Sequence, residues 1–165
     1  MSKARDLGTY AGKVLQVVQT VKTDTFSYTT GDAWGDITGL SVNITPVSTS
    51  NKILVSIDVS CNTANVSFLK ILRNSTDIAI GDAAGSRVRC TIANIHSFDN
   101  NPNVTANWSQ TFLDSPSTTS EITYKIQVYN EVVGQIFYLN RTANDGDSDV
   151  SGRPISTITV KEIAQ

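Results

Sequence analysis

The sequence predicts an all-β protein, an antiparallel two-sheet sandwich of the jelly-roll kind. Three observations carry that expectation. Apolar and polar residues alternate with a period of two along almost the whole chain, as half-buried strands require. The apolar positions are dominated by β-branched residues, which favour pleated surfaces, and no segment carries an amphipathic stripe over three helical turns. Breaks rich in Gly, Asn, Asp, Ser, Thr or Pro recur about every ten residues. The longer polar connections PVSTSN, DSPSTTS and TANDGDSDVSGRP suit two packed sheets, with an up-and-down barrel as the structural alternative.

Taken in order, KVLQVVQTV and TFSY open the pattern, and ITGLSVNIT follows a Gly-rich stretch that holds Trp34 in a loop. KILVSIDVSC places Ile53, Val55, Ile57, Val59 and Cys61 on one face. VSFLKILR and DIAIG come next, then RVRCTIANI, which puts Cys90 in register with Val88 and Ile92. VTANWSQTFLD alternates Ala106, Trp108 and Phe112 toward a core, and EITYKIQVYN does the same with Ile122, Tyr124, Ile126 and Val128. In VVGQIFYLN, Val133, Phe137 and Leu139 take one face while Val132, Ile136 and Tyr138 take the other. A strand apolar on both sides asks for a cover, either a second subunit or a loop, and an interface through Ile136, Tyr138 and Tyr129 is the expectation. ISTITVKEI closes the pattern with Ile158 and Val160 opposite Thr157, Thr159 and Lys161. A strand in that position can sit inside a sheet, paired on both sides, and hold the domain shut.

Size and charge narrow the class. A chain of 165 residues and 17.8 kDa fits one domain with a real core. Residues 1–11 read as an arm and 12–165 as the sandwich. The net charge is −2 and only 17% of residues are charged, with Lys and Arg scattered, which argues against a nucleic-acid partner. No apolar run is long enough to cross a membrane or to act as a secretory signal, so folding in a cytoplasm is expected. Cys61 and Cys90 fit free, buried thiols, although a bridge stays open on sequence alone. The six N-glycosylation-type tripeptides, at Asn43, Asn65, Asn74, Asn103, Asn107 and Asn140, follow from an abundance of Asn, Ser and Thr and are assigned no glycans.

Catalytic chemistry finds little support. The single His96 lacks a nucleophile elbow or a zinc set around it. Glu121, Glu131 and Glu162 stand at strand positions, and a glycosidase pair among carboxylates depends on the fold rather than on spacing. No phosphate-cradling glycine loop is present. The expectation is a protein that is not an enzyme and needs no cofactor. One alternating run, NDGDSD, reads as a solvated turn, because Val150 and Ser156 break the EF-hand pattern; Asn144, Asp145, Asp147 and Asp149 are the oxygen ligands it offers if it holds a structural calcium. Trp34, as a loop aromatic, is the better candidate of the two tryptophans for stacking on a sugar.

Several stretches then carry a resemblance: GKVLQVVQTVKTDTFS, ITGLSVNITPVSTSNKILVSIDVS, TFLDSPSTTSEITYKIQV, FYLNR, STITVKEI and the opening SKARDL. Together they resemble a family of bacteriophage virion surface proteins of tail-fibre and decoration type. The resemblance implies a jelly-roll head similar to those of tumour necrosis factor and complement-type proteins, which pack as homotrimers with the last strand near the threefold and both termini on one side. It implies a virion surface location after assembly in the host cytoplasm, attachment to other virion proteins through the N-terminal arm, and loops that meet the host. In that frame the protein is a tail-fibre or spike head recognising a surface glycan, with Trp34, Asp99, Asn101 and Asn103 and the 144–149 loop facing the receptor. Capsid decoration is the alternative role, and a free carbohydrate-binding module the alternative class.

Overall fold

The structure is a computed structural model and describes residues 12–95 and 101–165. The arm, His96 and Asp99 lie outside the described residues. Eleven strands are present among those described: β1 (Val14–Lys22), β2 (Phe26–Tyr28), β3 (Trp34–Ile44), β4 (Lys52–Thr63), β5 (Ser67–Arg73), β6 (Thr76–Ile78), β7 (Ile92–Ile95), β8 (Ala106–Asp114), β9 (Ile122–Asn130), β10 (Phe137–Leu139) and β11 (Ser156–Ile163). They form two antiparallel sheets, so the all-β sandwich expectation holds.

In the first sheet β4 is paired along both sides. β8 runs along one side, from Ile53↔Asp114 to Cys61↔Ala106. β11 and β10 lie end to end along the other, with Ile163↔Lys52 through Thr157↔Asp58 and then Leu139↔Cys61 and Phe137↔Thr63. β1 and β2 continue outward in the same way, β1 on β11 and β2 on β10. The second sheet runs β3, β9, β5, and then β6 and β7 end to end along β5. Counting such end-to-end strands as single rows gives eight. Numbered along the chain, they lie in the order 1-8-3-6 in one sheet and 2-7-4-5 in the other.

The core lies between the sheets and follows strand parity. Ile53, Val55, Ile57 and Val59 of β4 and Ile158 and Val160 of β11 meet Ile122, Tyr124, Ile126 and Val128 of β9 and Leu69 and Ile71 of β5. Each fully buried branched side chain contributes about 1.5–3 kcal/mol relative to exposure. β3 departs from strict alternation, with Ile37 and Leu40 both buried. A register shift between Asp36 and Ser41 restores the inward face, and Gly39 at φ 81° supplies the left-handed residue there.

Two expected strands are shorter than their patterns. Of RVRCTIANI only Ile92–Ile95 pairs with β5, and Cys90 sits half-buried in the preceding connection rather than in the core. Of VGQIFYLN only Phe137–Leu139 is a strand; Gly134, at φ 85°, turns the chain before it, so Val133 is 79% exposed instead of joining Phe137 and Leu139. Cys61 is buried in the core as expected, and both thiols are free.

Polar pins close both ends. Near the termini, the buried Glu162 accepts hydrogen bonds from Gln16 Nε2 (2.6 Å), Asn51 Nδ2 (2.6 Å) and the Val47 backbone N–H (2.8 Å). It thereby joins β1, the β3–β4 turn and β11. Asp114 of β8 accepts from Arg73 Nη1 at 2.9 Å and from the Tyr124 hydroxyl at 2.7 Å, tying the first sheet to the second. At the opposite end the buried Asn140 side chain donates to the carbonyls of Lys22 and Asp24 and accepts from Ser156 Oγ. That geometry restarts the chain in register for β11.

Burial works against the Glu162 charge, but donors from Asn51, Gln16 and the Val47 and Ser48 backbone outweigh it and hold the carboxyl below the usual glutamate range. A depressed folded-state pKa means that this stabilisation is complete above the unfolded value and fades as pH falls through the folded one. Glu162→Gln is expected to cost about 1–3 kcal/mol at neutral pH, and the gap from wild type to narrow below about pH 4. Denaturant midpoints measured across pH check this; a gap that widens in acid refutes it.

Candidate functional site

The first and last described residues lie together, with the Gly12 N–H bonded to the Ala164 carbonyl at 2.7 Å and the Ala164 N–H to the Lys13 carbonyl at 2.9 Å. The long loops gather at the other end of the sandwich. There the buried Asn62 side chain donates to the carbonyls of Asn101 (3.0 Å) and Val104 (2.5 Å). Asn144 bonds across through its N–H to the Pro102 carbonyl (3.0 Å) and its side chain to Asn103 Oδ1 (3.2 Å). Asn101 also accepts from the Asn103 N–H, an Asx-type turn that shapes the loop. The sequence-predicted residues Asn101, Asn103 and Asn144 therefore share one platform formed by two loops far apart in the chain.

On this platform the candidate calcium ligand Asp145 is paired with cations. Asp145 lies between two guanidinium groups, Arg141 Nη1 at 3.3 Å and Arg153 Nη1. Its carboxylate is compensated by these cations, and an incoming divalent ion would have to displace them. No group of three or more His, Cys, Asp or Glu side chains among the described residues is disposed to hold a metal. The loop is stapled by ion pairs instead.

The residues expected to form a single interface divide between the two sheets. Tyr138 stands on the outer face of the first sheet, half-buried, with the Arg141 guanidinium 4.6 Å over its ring. Ile136 and Tyr138 line a groove of about 420 Å³ together with Val132, Val133 and Ala143. The 140–155 connection thus supplies part of the cover that the two-sided apolar pattern asked for. The groove wall is set closely against Gly31, where a Cβ would meet the Val133 backbone at 2.5 Å. Tyr129 belongs to the outer face of the second sheet and cannot share a flat contact with Tyr138.

Trp34 is not in a loop. It opens β3 opposite Tyr129, ring centroids 5.4 Å apart, with Lys70 Nζ 4.5 Å from the centre of its ring. The Gly-rich flank obscured a strand end, because Gly35 is needed for packing: a Cβ there would run into the Tyr28 ring. Trp108 packs against the core as expected, half-buried.

A further surface went unread in the sequence. The outer face of the first sheet is four rows wide. Val17, Lys161, Leu54 and Leu113 lie in one line across it; Gln19, Thr159, Ser56 and Thr111 in the next; and Val21, Thr157, Asp58 and Ser109 in a third. Val17, Val21 and Leu113 are 55%, 46% and 45% exposed. Hydroxyl and amide side chains fill the centre and bond to one another, Gln19 Nε2 donating to Thr159 Oγ1 at 2.7 Å and Ser56 and Thr111 sharing a bond at 3.2 Å. The signal was present as the unused parity of each strand, but a line across four rows exists only once the register is fixed.

No family model and no curated protein matches the chain. Among solved structures, one described as infectious bursal disease virus derived T=1 particles overlaps it at 15% identity with a TM-score of 0.49, over 94% of this chain and 37% of that chain. A mutant VP2 protein of the same virus gives 15% and 0.47 over 93% and 37%, and the virus structure of the Gt strain 15% and 0.46 over 94% and 38%. The chain thus spans little more than a third of these proteins, and overlap at this level establishes neither relationship nor role.

With Asp145 held by two arginines, millimolar calcium or a chelator is expected to leave the melting midpoint unchanged, whereas Arg153→Ala lowers it by up to about 4 °C, the equivalent of about 1 kcal/mol. Differential scanning fluorimetry reads both; a calcium-dependent rise in the midpoint overturns the ion-pair assignment.

Proposed function

We propose that the protein is a non-enzymatic virion structural protein of a tailed bacteriophage, a homotrimeric jelly-roll knob that acts as a tail-fibre or spike head in host recognition. The observation that carries the reading is the nested row order. Rows 1 and 8, 3 and 6, 2 and 7, and 4 and 5 are hydrogen-bonded neighbours, the arrangement obtained when one long antiparallel hairpin is wrapped into a jelly roll. The sequence resemblance to phage surface proteins with tumour necrosis factor-like heads agrees with that topology.

The assignment of surfaces follows from their chemistry. The outer face of the first sheet carries mostly short polar side chains, is crossed by Val17, Leu54 and Leu113, and holds Lys161 and Asp58 as charges of opposite sign, which fits a face buried against two further copies of the chain. The terminal end is then the side that attaches to the particle, through the 1–11 arm, and the platform of Asn101, Asn103 and Asn144 points away from it, where binding on such scaffolds resides. The buried carboxylates Glu162 and Asp114 are occupied in holding strands together, in keeping with a protein that performs no chemistry. Capsid decoration uses the same architecture and differs in copy number, many per particle for a decoration protein and few for a tail head.

Light scattering coupled to size exclusion is expected to give a mass near three times 17.8 kDa. Leu54→Asp, which places a charge in the middle of the proposed contact, is expected to raise the dissociation constant at least about tenfold. A monomeric wild type overturns the trimer.

A further inference from the structure

We propose that the outer face of the second sheet carries a binding site for a neutral oligosaccharide, centred on Phe68 and Tyr129. Three aromatic side chains stand in one line across three neighbouring strands. Trp34 of β3 pairs with Tyr129 of β9, and Tyr129 with Phe68 of β5. Ring centroids are 5.4 Å apart in the first pair and 5.9 Å in the second, with interplanar angles of 46° and 61°. The rest of this face along β9 is Thr123, Lys125 and Gln127, so the aromatic line interrupts a polar surface. Aromatic rings held half-exposed at the boundary of apolar and wet surroundings are suited to ligands with one apolar face and one hydrogen-bonding edge. The C–H face and hydroxyl rim of a sugar ring have that character.

The line is held in place from its edges. Asp32 accepts a 2.6 Å hydrogen bond from the Tyr129 hydroxyl, and Lys70, anchored by Asp77 at 2.9 Å, sits over Trp34. Beside the line lies a groove of about 420 Å³ that Phe68 shares with Ser86, Arg87, Val88, Ala93 and Glu131. Glu131, Ser86 and Arg87, whose Nη1 also donates to the Ala84 carbonyl at 3.1 Å, bring residues with accepting and donating groups to a lining that includes Phe68, Val88 and Ala93, the composition by which a concave site fixes the orientation of a polyhydroxylated ligand.

Charge selects the ligand class. Asp32, Asp36, Asp77 and Glu131 on and around this face are at least as many as Lys70, Arg87 and Lys125. A polyanion such as a nucleic acid needs a cationic excess to release its counterions, and the described residues of this face supply none. The face lies across the sandwich from the outer face of the first sheet, so assembly through the first sheet leaves it free; its use on a virion rests on the function proposed above, while the binding itself does not.

The test titrates the full-length protein with maltohexaose, cellohexaose, mannohexaose and chitohexaose, and with oligo(dT), by tryptophan fluorescence and calorimetry, after light scattering of each sample. At least one neutral hexasaccharide is expected to bind saturably and to change the fluorescence. Tyr129→Ala and Phe68→Ala are each expected to weaken it about tenfold. Glu131→Ala, at an exposed position that cannot unfold the core, is expected to weaken it by a similar factor, whereas Leu54→Asp on the other sheet leaves it unchanged. Failure of all four sugars, preference for oligo(dT), or full affinity in Glu131→Ala and Tyr129→Ala overturns the site. A trimer that binds no sugar refutes this site alone, and a monomer that binds sugar refutes the assembly alone.

Discussion

The structure depends on the placement of its last strand. β11 is hydrogen-bonded to β1 on one side and to β4 on the other, so the first and last segments of the described chain must come together before the first sheet is complete. Such contacts between residues at opposite ends of the sequence are entropically expensive to form and raise the cooperativity of what they close. Glu162 reinforces the closure. Its carboxylate points into the sandwich in the same parity as Ile158 and Val160, and donors from β1 and from the β3–β4 turn converge on it. A buried carboxylate satisfied by neutral donors is stable only while all of them are in place, so it specifies one register for three segments at once.

The opposite end is organised by side-chain amides. Asn62, Asn130, Gln135 and Asn140 are all buried, and each reaches backbone groups of a neighbouring segment. An amide offers a donor and an acceptor on a short rigid stem, which lets it replace strand pairing where the strands have ended. This explains why loops as long as 140–155 leave and return without disturbing the sheet. It also places the apical residues Asn101, Asn103 and Asn144 on a braced support, since both of their loops bond to each other and one bonds to Asn62.

The two outer faces have different chemistry. On the first sheet, serines, threonines and a few branched aliphatic residues predominate, with Lys161 and Asp58 among them. On the second, aromatic rings, lysines and aspartates alternate, with ion pairs such as Lys125–Asp36 at 2.8 Å. A face of short hydroxyl and aliphatic side chains and a face of aromatic rings and ion pairs on one small sandwich are suited to different tasks, self-association for the former and ligand contact for the latter. The proposals for assembly and for sugar binding assign those tasks accordingly.

The fold class was legible in the sequence because strand parity is a local property. Ile53 to Cys61, Ile122 to Val128 and Ile158 to Val160 show their inward faces in any alignment of a pleated strand with a core. The same parity put Glu162 inside, yet its inward place reads as an anomaly until Gln16, Asn51 and Val47 are seen around it. The candidate surfaces were less legible. Asp145 looks like a ligand until Arg141 and Arg153, four and eight residues away in the sequence, are seen to close on its carboxylate; Trp34 looks like a loop residue until its pairing with Tyr129 is fixed; and Ile136, Tyr138 and Tyr129 look contiguous although they lie on two sheets. The sequence by itself determined which residues face the core, because alternation needs only nearest neighbours. Only the tertiary structure decided which outward residues stand side by side, because that depends on the register between strands that lie up to the length of the chain apart.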